Sequence, residues 1–523
     1  MIAPLLCGVL LSFLPQTTTL TDDSQRVETT HGPVVGVADP EHAGVRRFLG
    51  IPFAKPPVGE ARWKRPVAPD AWEAPLPATD FVLAAAQPEP RSYEGIGERG
   101  EDCLYLNVYS PPQEDEEAQR QLAPVLFWIH GGGFLSGTAM SSNYDGAVLA
   151  SEGLCVVAPN YRLGPMGFMA HPALSAEFGA SGNQAMFDLL LALEWVRDNA
   201  AAFGGDPDNV TIAGQSSGGA AVCALMTSPL ATGLFHKAIV QSGEAAADLV
   251  QLSEASDEHP SAEDIGRAVA LEVGIEGEDA EALAALRKVP ADDLVAAWVK
   301  VQSKYRWLDL CVDGKFLTES PAASFASGRQ AQVPTLVGAN MDESSMFTLG
   351  SKLESVEQYH EWVVKRFGDN LEPFLELYPA NDAETGRLRQ IEVGNDLYAM
   401  SARHIARTMS VGEISCWRYR FARVSKLGQM LRMGSFHGAE VAYLFGRLEN
   451  DEYYDETDRA LATKLRAYWE SFARTGDPNQ KTLPDWPNYD GESEPFLILD
   501  GTIGTGAKWR PEQCDLLESL LHE

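Results

Sequence analysis

Residues 210–226 read VTIAGQSSGGAAVCALM, and this stretch decides the fold. Residues 210–213 form a short, β-branched apolar run that fits a buried strand, and residues 219–226 form an unbroken apolar run that fits a helix. Between them, Gly214-Gln215-Ser216-Ser217-Gly218 has G-x-S-x-G spacing. That spacing alone is weak, because glycine and serine recur by chance. In a strand–turn–helix setting it reads as a turn that lifts a serine nucleophile above a sheet. The turn is sharp and its neighbours crowd the serine backbone, so the flanking positions require glycine. The plainer reading is a glycine- and serine-rich loop.

Outward from this centre the same pattern repeats. Residues 124–129 (PVLFWI), 154–159 (LCVVAP), 237–241 (KAIVQ), 333–338 (VPTLVG) and 417–421 (WRYRF) read as strands. Residues 184–203 have a helical pattern with Leu189, Leu190, Leu193 and Val196 on one face, and residues 460–475 read as a second long helix. Strands that are apolar throughout and alternate with helices predict an α/β class, with a mainly parallel sheet covered on both faces. Residues 253–300 and 353–410 are acidic, alanine-bearing and helical in pattern, so they read as cap insertions. Length alone would suggest three or four domains. The continuous alternation favours one domain over residues 21–523. Near the start, residues 33–37 and 105–109 read as strands, and residues 50–54 (GIPFA) and 56–59 (PPVG) as irregular loop, because proline lacks the N–H a ladder needs.

The 523 residues include 74 acidic and 41 basic side chains, a formal net charge of −33. Such a surface repels phosphate backbones and anionic lipid, so no nucleic-acid partner is expected. The seven cysteines are dispersed with no C-x-x-C pair, which argues against zinc, redox motifs and a disulfide-dense scaffold. No metal and no cofactor is expected. Residues 2–14 are apolar, with a length that suits a signal peptide over residues 1–20 and is too short to span a bilayer. That predicts export to the periplasm or the medium, although the segment lacks Lys, Arg and a clear cleavage site; a cytoplasmic chain is the alternative. No other run is long enough for a membrane helix, so no stable membrane anchor is expected.

His130-Gly131-Gly132-Gly133-Phe134 follows the strand at 124–129. Tandem glycines let backbone N–H groups face a substrate oxygen, and the N–H of Ser217, after the serine, would complete such an oxyanion hole. A serine nucleophile also needs a base and an acid to orient it. His31, His42, His259 and His522 sit in polar or terminal segments, and His171, His236, His360 and His404 on helices or their edges. His437 stands in a glycine-flanked loop (MGSFHG) after the second insertion, which suits a base. For the acid, Asp342 and Glu343 both follow the strand at 333–338, and spacing leaves the two open.

These motifs, taken together, resemble the type-B carboxylesterases, the family of cholinesterases, bacterial p-nitrobenzyl esterases and several fungal lipases. The match runs from about residue 27 to the C-terminus. Its further markers are the loop at 50–59, EDCLYLNV at 101–108, NYRLGP at 160–165, FGGDP at 203–207, QSG at 241–243, and His437-Gly438 with Glu440. The resemblance implies an α/β-hydrolase fold and a Ser216–Glu343–His437 triad in the superfamily's chain order. It further implies Gly132, Gly133 and Ser217 as oxyanion donors, Phe134, Phe347 and residues 305–308 against the substrate, and hydrolysis of a small-molecule carboxylic ester.

The chain departs from that family in places. Relatives often carry Glu before the nucleophile and Ala after it; here stand Gln215 and Ser217. Relatives often pair the cysteine at Cys103 with one upstream, yet no cysteine lies between Cys7 and Cys103. The loop at 84–100 has no Trp to hold a quaternary ammonium, and Tyr93 would be a weaker substitute. Ala245, Ala246 and Ala247 stand where relatives can be bulkier. Uncharged esters are therefore the expected substrates. A non-catalytic binding protein on the same fold is the competing class, since fold does not dictate function; retention of all three triad candidates favours the esterase. Arg162 and Asp188 are expected to form a structural ion pair.

Overall fold

Eleven strands build the central sheet. In chain order they are β1 (Val37–Ala38), β2 (Arg46–Pro52), β3 (Tyr105–Ser110), β4 (Ala123–Ile129), β5 (Cys155–Pro159), β6 (Gly205–Gln215), β7 (Lys237–Gln241), β8 (Thr335–Asn340), β9 (Cys416–Phe421), β10 (Pro495–Leu499) and β11 (Gly504–Ala507). Their spatial order is β11-β10-β9-β8-β7-β6-β4-β5-β3-β2-β1. From β5 to β10 all neighbours pair in parallel, and the antiparallel pairs lie at the two edges. The structure is a computed structural model and describes residues 25–89, 96–113, 121–246, 249–255, 260–302, 304–305, 310–348, 352–368, 371–412 and 414–521. The apolar run at residues 2–14, Tyr93, Ala247 and most of the segment 305–308 lie outside the described residues.

The central strands are apolar throughout because both faces are covered. Along β4, Val125, Phe127 and Ile129 join one core, while Leu126 and Trp128 join the other. That alternation is the two-residue period of a strand. Helices α1 (Gln184–Asn199) and α2 (Ser217–Thr227) bury Leu189, Leu193, Val196, Val222 and Leu225 in the first core. The long helix α3 (Ala383–Val411) packs on β8 and β9, the short α4 (Ala439–Leu444) packs on α5 (Glu456–Thr475), and α6 (Pro511–Leu521) lies against α3. Leu461, Leu465, Trp469 and Phe472 of α5 fill the second core. The two inserted regions are helical, with Ala262–Glu272, Ala280–Leu286 and Ala291–Gln302 in the first, and Val356–Phe367, Leu371–Leu377 and α3 in the second.

One local expectation fails. Gly50, Ile51 and Pro52 belong to β2 instead of an irregular loop. A register shift between Phe48 and Ile51 absorbs the irregular backbone, and Pro52 sits at the strand's end, opposite Tyr105. Proline is tolerated there because no further ladder bond is required of it. Arg162 and Asp188 do pair, at 2.7 Å and wholly buried, with the Asp188 carboxylate also accepting from the Arg162 N–H at 3.0 Å. The six described cysteines are buried free thiols. Among the described residues no helix is long and apolar enough to cross a membrane.

Candidate active site

Ser216 joins β6 to α2 with φ 59° and ψ −127°, a region that side chains with a Cβ rarely adopt. Its N–H donates to the Gln241 carbonyl at 2.9 Å. A Cβ on Gly218 would stand 2.1 Å from the Ile129 carbonyl oxygen, so β4 and α2 can approach only over a glycine. The strain is thus held by the surrounding sheet, and the serine is presented at a cavity beyond the ends of the parallel strands, where α/β sheets place their ligands.

Glu343 follows β8 and is fully buried. Its Oε1 accepts from the Asn340 N–H at 2.6 Å and from Ser242 Oγ at 2.5 Å. Its Oε2 faces His437 Nδ1 at 2.5 Å. The carboxylate is therefore gripped on both oxygens and directs a proton onto Nδ1. Burial pushes the His437 pKa down, but the paired Glu343 charge, backed by Glu440 and Glu244, outweighs it and leaves the imidazole above its ordinary value. Asp342 turns elsewhere. Its Oδ2 accepts from the Ser435 N–H at 2.9 Å, and a parallel bridge joins Asp342 to Phe436. Geometry thus separates the two carboxylates that spacing left open. Glu343 meets the imidazole, and Asp342 clamps the loop that carries it.

The Nε2 of His437 meets the Gln215 carboxamide at 3.1 Å. Ser216 Oγ makes no hydrogen bond to the imidazole here, a bond that free sites commonly leave long until substrate closes them. A second carboxylate, Glu440, is buried behind the pair. It accepts from Gln241 Nε2 at 3.1 Å and from Asn340 Nδ2 at 2.6 Å, and Gln241 is in turn held by the Trp469 indole at 3.1 Å. Burial and the nearby Glu343 charge raise the Glu440 pKa, against the lowering effect of the Asn340 and Gln241 donors.

The glycine cluster faces the same cavity. Gly132 has φ 121°, and a Cβ there would fall 1.9 Å from the Ser136 carbonyl oxygen. His130 is an anchor for this loop. Its Nδ1 meets the Gly131 carbonyl at 2.8 Å, its ring stacks on Tyr161 at 4.5 Å, and burial pushes its pKa down to about 4. Ser217 is the first residue of α2, so its N–H has no carbonyl of its own helix to bond. Gly132, Gly133, Ser216, Ser217 and His437 all line one cavity of about 850 Å³.

Phe134 and Phe347 line it too. Phe134 packs on Phe168 at 4.8 Å, and the exposed Phe347 ring lies 5.2 Å from the His437 ring. Ala245 lines the cavity, but Ala246 does not. It is buried in a separate core with Tyr359 and Phe374, because the chain turns inward there. Tyr305 packs against the main core. Three contributors went unread in the sequence. Ser242 sits in a strained turn with φ 50°, Tyr398 places its ring 5.1 Å from His437, and Leu427 lines the far wall. The QSG motif at 241–243 was the available signal for Ser242; Tyr398 and Leu427 carry none, since each reads as an ordinary helical residue. Among the described residues no cluster of three His, Cys, Asp or Glu side chains could hold a metal ion.

The sequence profile of the carboxylesterase family matches residues 23–517. The chain is 35% identical to fumonisin B1 esterase of Sphingopyxis macrogoltabida over 509 residues, which covers 93% of this chain and 88% of that protein. It is 34% identical to para-nitrobenzyl esterase of Bacillus subtilis (strain 168), covering 92% of this chain and 95% of the relative. A solved structure titled PNB esterase superposes with a TM-score of 0.80 at 33% identity, covering 95% of this chain and 99% of the other.

Proposed function

Since the chain belongs to the carboxylesterase family, with the α/β-hydrolase fold and the ester-hydrolysing activity of a serine carboxylesterase, we propose that Ser216, His437 and Glu343 are its catalytic triad. Ser216 Oγ attacks the ester carbonyl carbon while His437 Nε2 takes the hydroxyl proton. Glu343 holds the imidazole with its proton on Nδ1 and stabilises the imidazolium that forms. The N–H groups of Gly132, Gly133 and Ser217 receive the tetrahedral oxyanion. The C–O bond to the alcohol then breaks, and His437 gives its proton to the departing oxygen. Water enters and attacks the acyl carbon as it loses a proton to the same nitrogen. The bond from that carbon to Ser216 Oγ then breaks, His437 returns the proton to Oγ, and the acid is released.

The observation that carries this reading is the 2.5 Å Glu343–His437 pair beside the strained Ser216 and above the glycine-lined cavity. The test is release of p-nitrophenol from a short-chain p-nitrophenyl ester before and after an organophosphate, with the phosphorylated residue located by mass spectrometry. Inhibition with the adduct on Ser216 is expected. Full inhibition with the adduct on another serine would reject the assignment.

Phe134, Phe347, Met346, Leu310 and Leu249 give the cavity an apolar lining suited to uncharged esters. The p-nitrobenzyl, pyrethroid and cocaine esters for which relatives are named form a natural panel. Residues 21–523 are read as one catalytic domain, and the apolar run at 2–14 as an export signal.

A further inference from the structure

Along β9, Arg418 and Arg420 alternate with Trp417, Tyr419 and Phe421. The three aromatic rings enter the second core, so both guanidinium groups leave the sheet on its other face, roughly 6–7 Å apart along the strand. Arg418 is 0% exposed and Arg420 is 1% exposed. A guanidinium keeps its charge and carries five N–H donors. Yet Nε and Nη1 of Arg418 and Nε and Nη1 of Arg420 have no acceptor among the described residues. Arg418 Nη2 reaches the Ala399 carbonyl of α3 only at 3.4 Å.

The carboxylates that face this pair are engaged elsewhere. Glu494 is held by Arg403 through two bonds of 2.7 Å. Asp396 accepts from Tyr378 and from Arg510, each at 2.9 Å. Glu343 is filled by Asn340, Ser242 and His437. The Cys514 thiol and the Arg403 guanidinium also stand near the pair, and two aromatic rings pack against it. The Arg418 guanidinium lies 5.6 Å from the Phe496 ring centre and that of Arg420 lies 5.2 Å from Trp509, and the two rings meet edge to face at 6.4 Å. The Trp509 indole N–H and the Tyr489 hydroxyl of the same neighbourhood are also buried without a partner among the described residues.

We propose that Arg418 and Arg420, with the Trp509 indole N–H, hold a buried inorganic monovalent anion of chloride size between β9, α3 and α6. Two like charges on one enclosed face repel strongly in a low dielectric. Water could fill the empty donors but adds no negative charge between the two arginines; a small anion does both. Burial of both guanidinium groups favours a small inorganic ion over sulfate and organic carboxylates. The guanidinium and aromatic walls favour a weakly hydrated ion. The site ties α3 and α6 to the sheet, so it acts on stability, and it stands whether or not the proposed triad does.

The test uses the full chain purified and stored in sodium gluconate. Thermal unfolding is followed while chloride replaces gluconate at constant ionic strength, which holds general screening fixed. A saturable rise in Tm of about 2–3 °C at a hundredfold excess over Kd is expected with chloride and bromide, and none with sulfate. Arg420→Met and Arg418→Met should each abolish the chloride response. Should either variant fail to fold, wild-type crystals grown in bromide decide the matter. An anomalous peak within hydrogen-bond reach of both guanidinium groups is expected. A Tm indifferent to chloride over gluconate, or water alone between the two arginines, would overturn the proposal.

Discussion

The carboxamide of Gln215 donates to Nε2 of His437 at 3.1 Å, the nitrogen that must accept the serine proton in the proposed reaction. With the other ring nitrogen carrying its proton toward Glu343, Nε2 is a lone-pair acceptor, and an amide N–H suits it. Once Nε2 is protonated, that N–H opposes it and the amide must rotate to offer its oxygen. Gln215 therefore favours the neutral, working form of the base, whereas a carboxylate would favour the imidazolium.

It follows that Gln215→Glu should raise the pKa of the base further above the ordinary histidine value. The neutral fraction would then be lost at a higher pH as the solution is acidified. The acid limb of the kcat/KM profile should move upward by about one pH unit, while Gln215→Ala should move it much less. Superimposable profiles for wild type and Gln215→Glu would refute the relationship.

Ser216→Ala should fold with unchanged thermal stability and lose roughly 10³-fold or more in kcat. Retention of a tenth of wild-type turnover would remove Ser216 from the nucleophile's role.

Glu343→Gln presents an NH2 group to the imidazole or to the Asn340 and Ser242 donors, so it disfavours the Nδ1–H tautomer and should lower kcat by about 10²–10⁴. Asp342→Asn keeps an oxygen for the Ser435 N–H and should stay within about tenfold of wild type. Ser242→Ala removes one of the two donors on Glu343 Oε1 and should fall between them. Equal losses at 342 and 343 in steady-state assays would show that the carboxylates had been assigned wrongly.

Acyl preference should follow the cavity. Ala245 leaves volume beside the nucleophile, and each further buried methylene of an acyl group contributes up to about 0.8 kcal/mol. Butyryl, octanoyl and benzoyl esters should therefore have a higher kcat/KM than acetylcholine, with long-chain triglycerides slower. A clear preference for acetylcholine would overturn the pocket argument and leave the triad untouched.

What could be read from sequence was local or periodic. The run from 210 to 226 carries its own strand, turn and helix, and the alternation of apolar segments foretells a sheet buried on both faces. Both follow from short-range rules about glycine, apolar period and chain length. Where the local rule was too strict, it failed: residues 50–52 read as irregular loop because of their glycine and proline, yet the end of β2 admits them. Other features depended on residues distant in the chain. Asp342 and Glu343 are neighbours with the same chemistry, and only the meeting of β8 with the loop at 433–438 turns one toward Ser435 and the other toward His437. Ser242, Tyr398 and the arginines of β9 gain their meaning from what is packed over them. A strand's side-chain period says which face a residue takes. Which partners wait on that face is decided by the tertiary fold, because the opposing elements come from segments more than a hundred residues away for Ser242 and Glu343.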